Sequence, residues 1–281
     1  MIVCYNSFMD KDLKIGLALS GGGARGFAHL GVLKKLEQEK IPIFCISGTS
    51  MGAVIGGLYA AFGTVDSIIN FFNFSKISSF FETKKFYQSI AKGGLLSLEK
   101  AEIIFKNKLH NVKIEDLKIP FTSVAVSLKT AQEVKFKKGD LASAIFASSA
   151  LPFIFSPIRI DDDLFIDGGL FNVLPIDACF EMGADLVIGV DVSDDHFNNF
   201  NLDEKINIFK IPQLIFNLAL NKFKNEKLEE LNKNYQGKFF TLKPKVSILK
   251  GNEFDKLEEF MFLGEREYSK NRDEIHQFLK I

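Results

Sequence analysis

The stretch Ile41-Pro-Ile-Phe-Cys-Ile-Ser47-Gly48-Thr49-Ser50-Met51-Gly52, continuing into Ala53–Phe62, decides how this chain is read. Ile41–Ser47 is a short apolar run of the kind that makes a buried strand. Gly48–Gly52 spells G-x-S-x-G, in which the flanking glycines allow a sharp strand-to-helix turn that holds a serine hydroxyl clear of the backbone. The segment after it carries Ala53, Gly56, Gly57, Ala60 and Ala61, small residues that let a helix lie close on a sheet, and Gly63 stops it. Gly and Ser are common enough for the five-residue pattern to arise by accident. The strand before it and the helix after it favour a nucleophile over a plain glycine turn.

Upstream, the same architecture occurs once more. Lys14–Leu19 (KIGLAL) reads as a buried parallel strand. Ser20-Gly21-Gly22-Gly23-Ala24-Arg25-Gly26 closes it and opens a helix with Phe27, Leu30, Leu33 and Leu36 on one face and Lys34, Lys35, Glu37 and Gln38 on the other. Backbone N–H groups and the positive helix end converge at such a turn, so it suits an anion. Two anions fit: the oxyanion of a tetrahedral acyl intermediate, or a nucleotide pyrophosphate, because Gly21, Gly23 and Gly26 also spell G-x-G-x-x-G. A dinucleotide fold expects an acidic residue about twenty positions further on. Here the second strand ends in Cys45-Ile46-Ser47 and leads to Ser50, which favours the oxyanion.

Further strands are read at Phe121–Leu128, Glu133–Lys137, Leu164–Ile166 and Leu186–Val192, with helices at Leu141–Ala147 and Pro175–Met182. The alternation predicts an α/β fold of three layers, helix–sheet–helix, with a mainly parallel central sheet. Asp167-Gly168-Gly169 follows Leu164–Ile166, which puts its carboxylate at a strand end, where parallel-sheet proteins place their active sites. Taken alone, Asp-Gly is an ordinary turn. His196 follows the last of these strands and gives the order Ser50, Asp167, His196, so a Ser–Asp–His triad stays open beside a Ser–Asp pair. The residues around His196 read equally well as a solvated loop. His29 lies near the start of the first helix and reads as a core or supporting histidine, while His110 and His276 stand in no motif.

The glycine-rich turn with Arg25, the G-x-S-x-G at Ser50 and the D-G-G at Asp167 occur in this order, with Phe146-Ala-Ser-Ser-Ala-Leu-Pro between the last two. Over roughly residues 13–195 the chain resembles the patatin-like phospholipase family. The resemblance implies a catalytic Ser50–Asp167 dyad without histidine and an oxyanion hole lined by Gly21, Gly22, Gly23 and Arg25. Gly48, Gly52, Gly168 and Gly169 would support the two turns. It implies lipid acyl esters as substrates, in the manner of a phospholipase A or lysophospholipase, and requires no metal or organic cofactor. The rival readings are a non-catalytic regulatory protein on the same fold and a nucleotide-binding protein.

The chain has 281 residues, 47% of them hydrophobic, enough for one α/β domain: a loose extension over 1–12, the motif-bearing core over 13–195 and a mainly helical part over 196–281. Thirty-five basic residues balance 35 acidic ones, so no global field recruits nucleic acid. Cys4, Cys45 and Cys179 show neither a disulfide framework nor metal-ligand spacing. The first residues do not read as a secretory signal, and no run of about 18 apolar residues suits a spanning helix. The expectation is a cytoplasmic protein with at most peripheral membrane contact; the sequence leaves oligomeric state unspecified. Asp66–Ile90, with Phe71, Phe72, Phe74, Phe80, Phe81 and Phe86, is a candidate cap for acyl tails, or else core. Gln213–Asn234 reads as an amphipathic helix with Leu214, Ile215, Leu218 and Phe223 against Lys222, Lys224 and Lys227, suited to docking or to packing on its own domain.

Overall fold

Three strands, β1 (Ile15–Leu19), β2 (Cys45–Thr49) and β3 (Phe121–Ser127), are buried along their whole length, which is why they read as unbroken apolar or small-residue runs. The computed structural model describes residues 13–75, 98–193 and 211–281. The extension over 1–12, Phe80, Phe81, Phe86 and His196 lie outside the described residues, as do the side chains of Phe74 and Leu214.

β1 lies between β2 and β7 (Leu186–Val190), with β8 (Phe239–Leu242) beyond β7, and all of these junctions are parallel. β3 joins β2 in parallel. β4 (Gln132–Phe136) and β6 (Asp163–Asp167) run antiparallel to β3, and β5 (Ile158–Ile160) antiparallel to β6. The eight-stranded sheet is therefore mixed, with a parallel centre. β4 occupies one edge of Ser123–Ser127, so β2, opposite Phe121–Val124, and β6, opposite Ala125–Ser127, share the other edge and meet end to end.

Helices cover both faces. Leu17, Ile46 and Ile188 point into the layer of α1 (Ala28–Gln38), α2 (Met51–Phe62), α3 (Val65–Ser75), α4 (Glu99–Lys108), α5 (Leu141–Ser149), α8 (Leu257–Lys270) and α9 (Arg272–Leu279). Their chain neighbours Ala18, Cys45 and Val187 point the other way, against α6 (Ile176–Glu181) and Leu231 of α7 (Ile211–Asn234). The outcome is the expected α/β arrangement. α1 and α8 cross with their backbones in contact: a Cβ on Gly31 would stand 2.0 Å from the Met261 carbonyl oxygen, and one on Gly264 2.0 Å from that of Ala28.

Several boundaries differ from the sequence reading. β2 begins at Cys45, not Ile41, because Pro42 has no N–H for a ladder and the Ile41 amide closes α1 by donating to Leu36 O at 3.0 Å. The strand then continues through Gly48 and Thr49, leaving Ser50 alone as the turn. Phe71 and Phe72, offered as acyl contacts, are buried and make edge-on contacts with Phe105 and Phe27 at 4.9 and 5.6 Å, so these two are core. Lys224, assigned to the polar side of α7, is also buried. Its ammonium meets Asp191 Oδ2 at 2.9 Å and donates to Ser193 Oγ at 2.7 Å, because a carboxylate and a hydroxyl rather than apolar groups face the helix there. Among the described residues no single helix is long and apolar enough to cross a membrane.

Candidate active site

Ser50 sits between β2 and α2 with φ 55° and ψ −124°, a backbone conformation that is unusual for any residue but glycine. The two glycines of the pentapeptide make this turn possible sterically. A Cβ on Gly48 would lie 2.4 Å from Gly52 O, and one on Gly52 would lie 2.2 Å from Leu19 O, so the turn folds on itself and α2 starts against the end of β1. The Ser50 carbonyl accepts the first bonds of α2 from Ala53 N and Val54 N at 2.9 and 3.1 Å. Its amide donates to Ser148 Oγ at 2.8 Å.

Asp167 is the last residue of β6. Its carboxylate accepts from the Gly169 amide at 2.8 Å, and the residue before Ser50, Thr49, lies opposite Val124 of β3 while Asp167 lies opposite the next residue, Ala125. Burial raises its pKa from 3.8 to about 6, the neighbouring Ser50 side chain and the Gly169 amide offsetting only part of the desolvation. Gly168 presses the turn onto β3, since a Cβ there would stand 2.2 Å from Val124 O. The structure thus brings Ser50 and Asp167 together.

The glycine-rich turn lies beside them. A Cβ on Gly21 would be 3.3 Å from Ser50 Cβ, so this glycine gives the turn its closeness to the serine. Its amide is engaged, donating to Val173 O at 3.1 Å, and Ala24 N donates to Gly251 O at 2.8 Å. That leaves the Gly22 and Gly23 amides, for which no backbone carbonyl among the described residues serves as acceptor. Gly23 has φ +59°, and the Arg25 guanidinium lies against Gly251, on the side of the turn facing that loop. The anion-binding set read from sequence therefore divides: Gly22 and Gly23 are the available donors, and Gly21 supplies proximity.

Several further residues hold the site without being proposed to react. Ser20 Oγ donates to Gly21 O at 3.0 Å and accepts from Val192 N at 2.8 Å, tying the turn to the end of β7. His29 is fully buried and its Nε2 donates to Ser20 O at 2.9 Å; burial lowers its pKa to about 4, against smaller opposing effects of that bond and of Asp191. Thr49 Oγ1 donates to Asn172 O at 2.7 Å, so the backbone after the D-G-G turn braces both β2 and the glycine turn. Ser148 lay in plain view in Phe146-Ala-Ser-Ser-Ala-Leu-Pro. Gly251 had no local signal at all.

Comparisons with known proteins identify relatives of the chain. The family model for patatin-like phospholipase matches residues 17–180, a span from β1 into α6 that holds the three motifs. A protein of Mycobacterium tuberculosis named as an uncharacterized NTE family protein is 38% identical over 180 residues, covering 64% of this chain and 49% of its own length. Lysophospholipase NTE1 of Mycosarcoma maydis is 32% identical over 193 residues, covering 64% of this chain and 10% of that protein. The solved structure of VipD from Legionella pneumophila aligns with 89% of this chain and 66% of its own, at 13% identity and a TM-score of 0.45. The chain spans about half the length of the mycobacterial relative and a tenth of the fungal one. With the match running through most of the motif-bearing sheet, the chain belongs to the patatin-like phospholipase family.

Proposed function

We propose that this protein is a serine acyl hydrolase of lipid carboxylic esters, of phospholipase A or lysophospholipase type, acting through Ser50 and Asp167. The observation that carries the reading is the convergence of the two turns on β3, where Thr49, next to Ser50, lies opposite Val124 and the buried Asp167 lies opposite Ala125. In the proposed cycle Ser50 Oγ attacks the ester carbonyl carbon while its proton passes to Asp167, and the carbonyl oxygen becomes an oxyanion. The Gly22 and Gly23 amides, aided by the helix end behind them, receive that charge; a preorganised donor of this kind contributes about 3 kcal/mol. The tetrahedral species collapses, the alcohol or lysolipid leaves with the proton from Asp167, and the acyl group stays on Ser50. Water, deprotonated by Asp167, releases the fatty acid and restores the serine.

A carboxylate is a weak base for a hydroxyl, and desolvation lifts Asp167 towards the working range. His29 does not replace it, because its Nε2 is committed to Ser20 O and burial lowers its pKa to about 4, which makes it the weaker base of the two. The likeness to a lysophospholipase supports a lipid ester as substrate. Ile215 and Leu218 of α7, exposed on a helix whose Leu220 approaches Gly169, are suited to contact acyl chains or a bilayer surface. The test is turnover of a medium-chain chromogenic ester together with covalent labelling by a fluorophosphonate. Ser50→Ala is expected to lose both with its fold intact; turnover equal to the parent sinks the reading.

A further inference from the structure

The backbone amides of Ser50 and Asp167 are held by one short piece of chain, the C-terminal end of α5. Ser50 N donates to Ser148 Oγ at 2.8 Å, and Asp167 N donates to Ala150 O at 3.0 Å. Ser148 Oγ in turn donates to Val124 O, the carbonyl onto which Gly168 folds. Val124 is also the residue of β3 opposite Thr49. We propose that Ser148-Ser149-Ala150 acts as a caliper that sets the separation of Ser50 and Asp167, with Ser148 as its positioning residue.

The caliper is stiff. Asp140 caps the start of α5 by accepting from Ser143 N at 2.9 Å. Ser123 Oγ of β3 donates to Ala144 O at 2.8 Å, and Ser149 Oγ donates to Ile145 O at 2.8 Å, fixing the helix to the sheet and closing its last turn. The two arms it holds are the ones that need holding. Ser50 keeps a positive φ, a conformation that persists only where the surroundings over-determine it. Asp167 ends a strand that meets β2 head-on, so any slack at this junction changes the distance between hydroxyl and carboxylate. Ser148 is completely buried, and removing its hydroxyl takes a hydrogen-bond partner from both the Ser50 amide and the Val124 carbonyl.

This inference rests on the proposed Ser50–Asp167 chemistry, and the experiment separates the two. Ser148→Ala and Ser148→Thr are compared with the parent, Ser50→Ala and Asp167→Asn for kcat, KM, fluorophosphonate labelling rate and thermal midpoint. Ser148→Ala is expected to lose about 10²-fold in kcat and in labelling rate with KM unchanged, the cost of a misplacement on the order of an ångström. Ser148→Thr, which keeps donor and acceptor, should recover most of the loss. In an Asp167→Asn background Ser148→Ala should add little further loss, since alignment towards an absent base no longer matters. Parent-like kcat in folded Ser148→Ala, or full multiplication of the two losses in the double variant, overturns the caliper. If Ser148→Ala does not fold, the near-isosteric Ser148→Cys decides: a lowered kcat at unchanged KM supports the caliper and parent-like kcat overturns it. A parent that neither turns over ester nor labels more than Ser50→Ala overturns the hydrolase reading instead.

Discussion

Asp167 and His29 are both buried beside the turns that end the strands, Asp167 at the end of β6 and His29 against the carbonyl of Ser20 just past β1, and burial moves their pKa values in opposite directions. Asp167 goes up to about 6 and His29 down to about 4, so each is favoured in its neutral form. The carboxylate is therefore half-ionised near pH 6 while the imidazole carries no charge there. This ordering sets the pH behaviour of the site.

Activity should rise with pH through Asp167. The proposed base works only when ionised, so kcat/KM for a neutral ester is expected to climb through about pH 6 and level off above it. A pH–rate profile on the free enzyme checks this. A profile flat from pH 5 to 8 would remove Asp167 from the rate-determining proton transfer.

The same group should oppose stability at neutral pH. Its folded pKa lies above its unfolded value, so its stabilising contribution is complete below about 3.8 and is lost as pH rises through about 6. Asp167→Asn is accordingly expected to unfold later than the parent at pH 8, by up to about 3 kcal/mol, and to converge with it near pH 3.5. Urea midpoints at both values decide the matter, and a less stable Asp167→Asn protein at pH 8 would contradict it.

His29 should give the mirror image. Its folded pKa lies below the unfolded 6.5, so its contribution is present above that value and is lost as pH falls through about 4. His29→Gln should lose less stability than the parent between pH 6.5 and 4, measured as the difference between the two denaturation curves. It should also lower activity by loosening Ser20 and the glycine turn behind it.

The motif glycines should separate into two classes. Alanine at Gly52 or Gly168 places a methyl 2.2 Å from a backbone carbonyl oxygen in a strand-bound position, and should cost 1–3 kcal/mol or more, or prevent folding. Alanine at Gly21 meets Ser50 Cβ at 3.3 Å and Thr49 O at an ordinary 3.7 Å, and should leave a folded protein with impaired turnover. Circular dichroism melts and ester hydrolysis on the same preparations distinguish the classes. Equal thermal loss at all three sites would run against the assignment.

The Lys224–Asp191 pair should behave as a unit. Lys224→Met leaves a buried carboxylate uncompensated and is expected to cost about 3–5 kcal/mol, whereas Lys224→Met with Asp191→Asn should recover much of that loss. A double-mutant cycle by chemical denaturation measures the coupling, and additive effects would mean that the charges do not depend on each other.

Legibility in the sequence followed the range of the forces involved. β1, β2 and β3 could be read because burial on both faces leaves runs without alternation, and the turns at Ser20 and Ser50 because glycine marks backbone that admits no Cβ. Pro42 misled the start of β2 by sitting inside an apolar run that it cannot continue as a ladder. β8 went unread, because Phe239–Leu242 is a short apolar run between lysines whose partner, β7, lies far away in the chain. Lys224 looked like a solvated charge because nothing near it in sequence announces Asp191. Ser148 was quoted as text, but its bond to Ser50 N belongs to the fold and not to the motif.

The bond from Ala24 N to Gly251 O also has a consequence in time. A ribosome adding about 5–20 residues per second needs on the order of ten seconds or more to travel from one partner to the other. Over the later part of that interval, once Asp167-Gly168-Gly169 is made, the nascent chain holds its serine, its carboxylate and its motif glycines and still lacks the loop that fastens Ala24. Synthesis thus fixes an order of events in which the glycine turn is fastened late, after every residue proposed to react has left the tunnel.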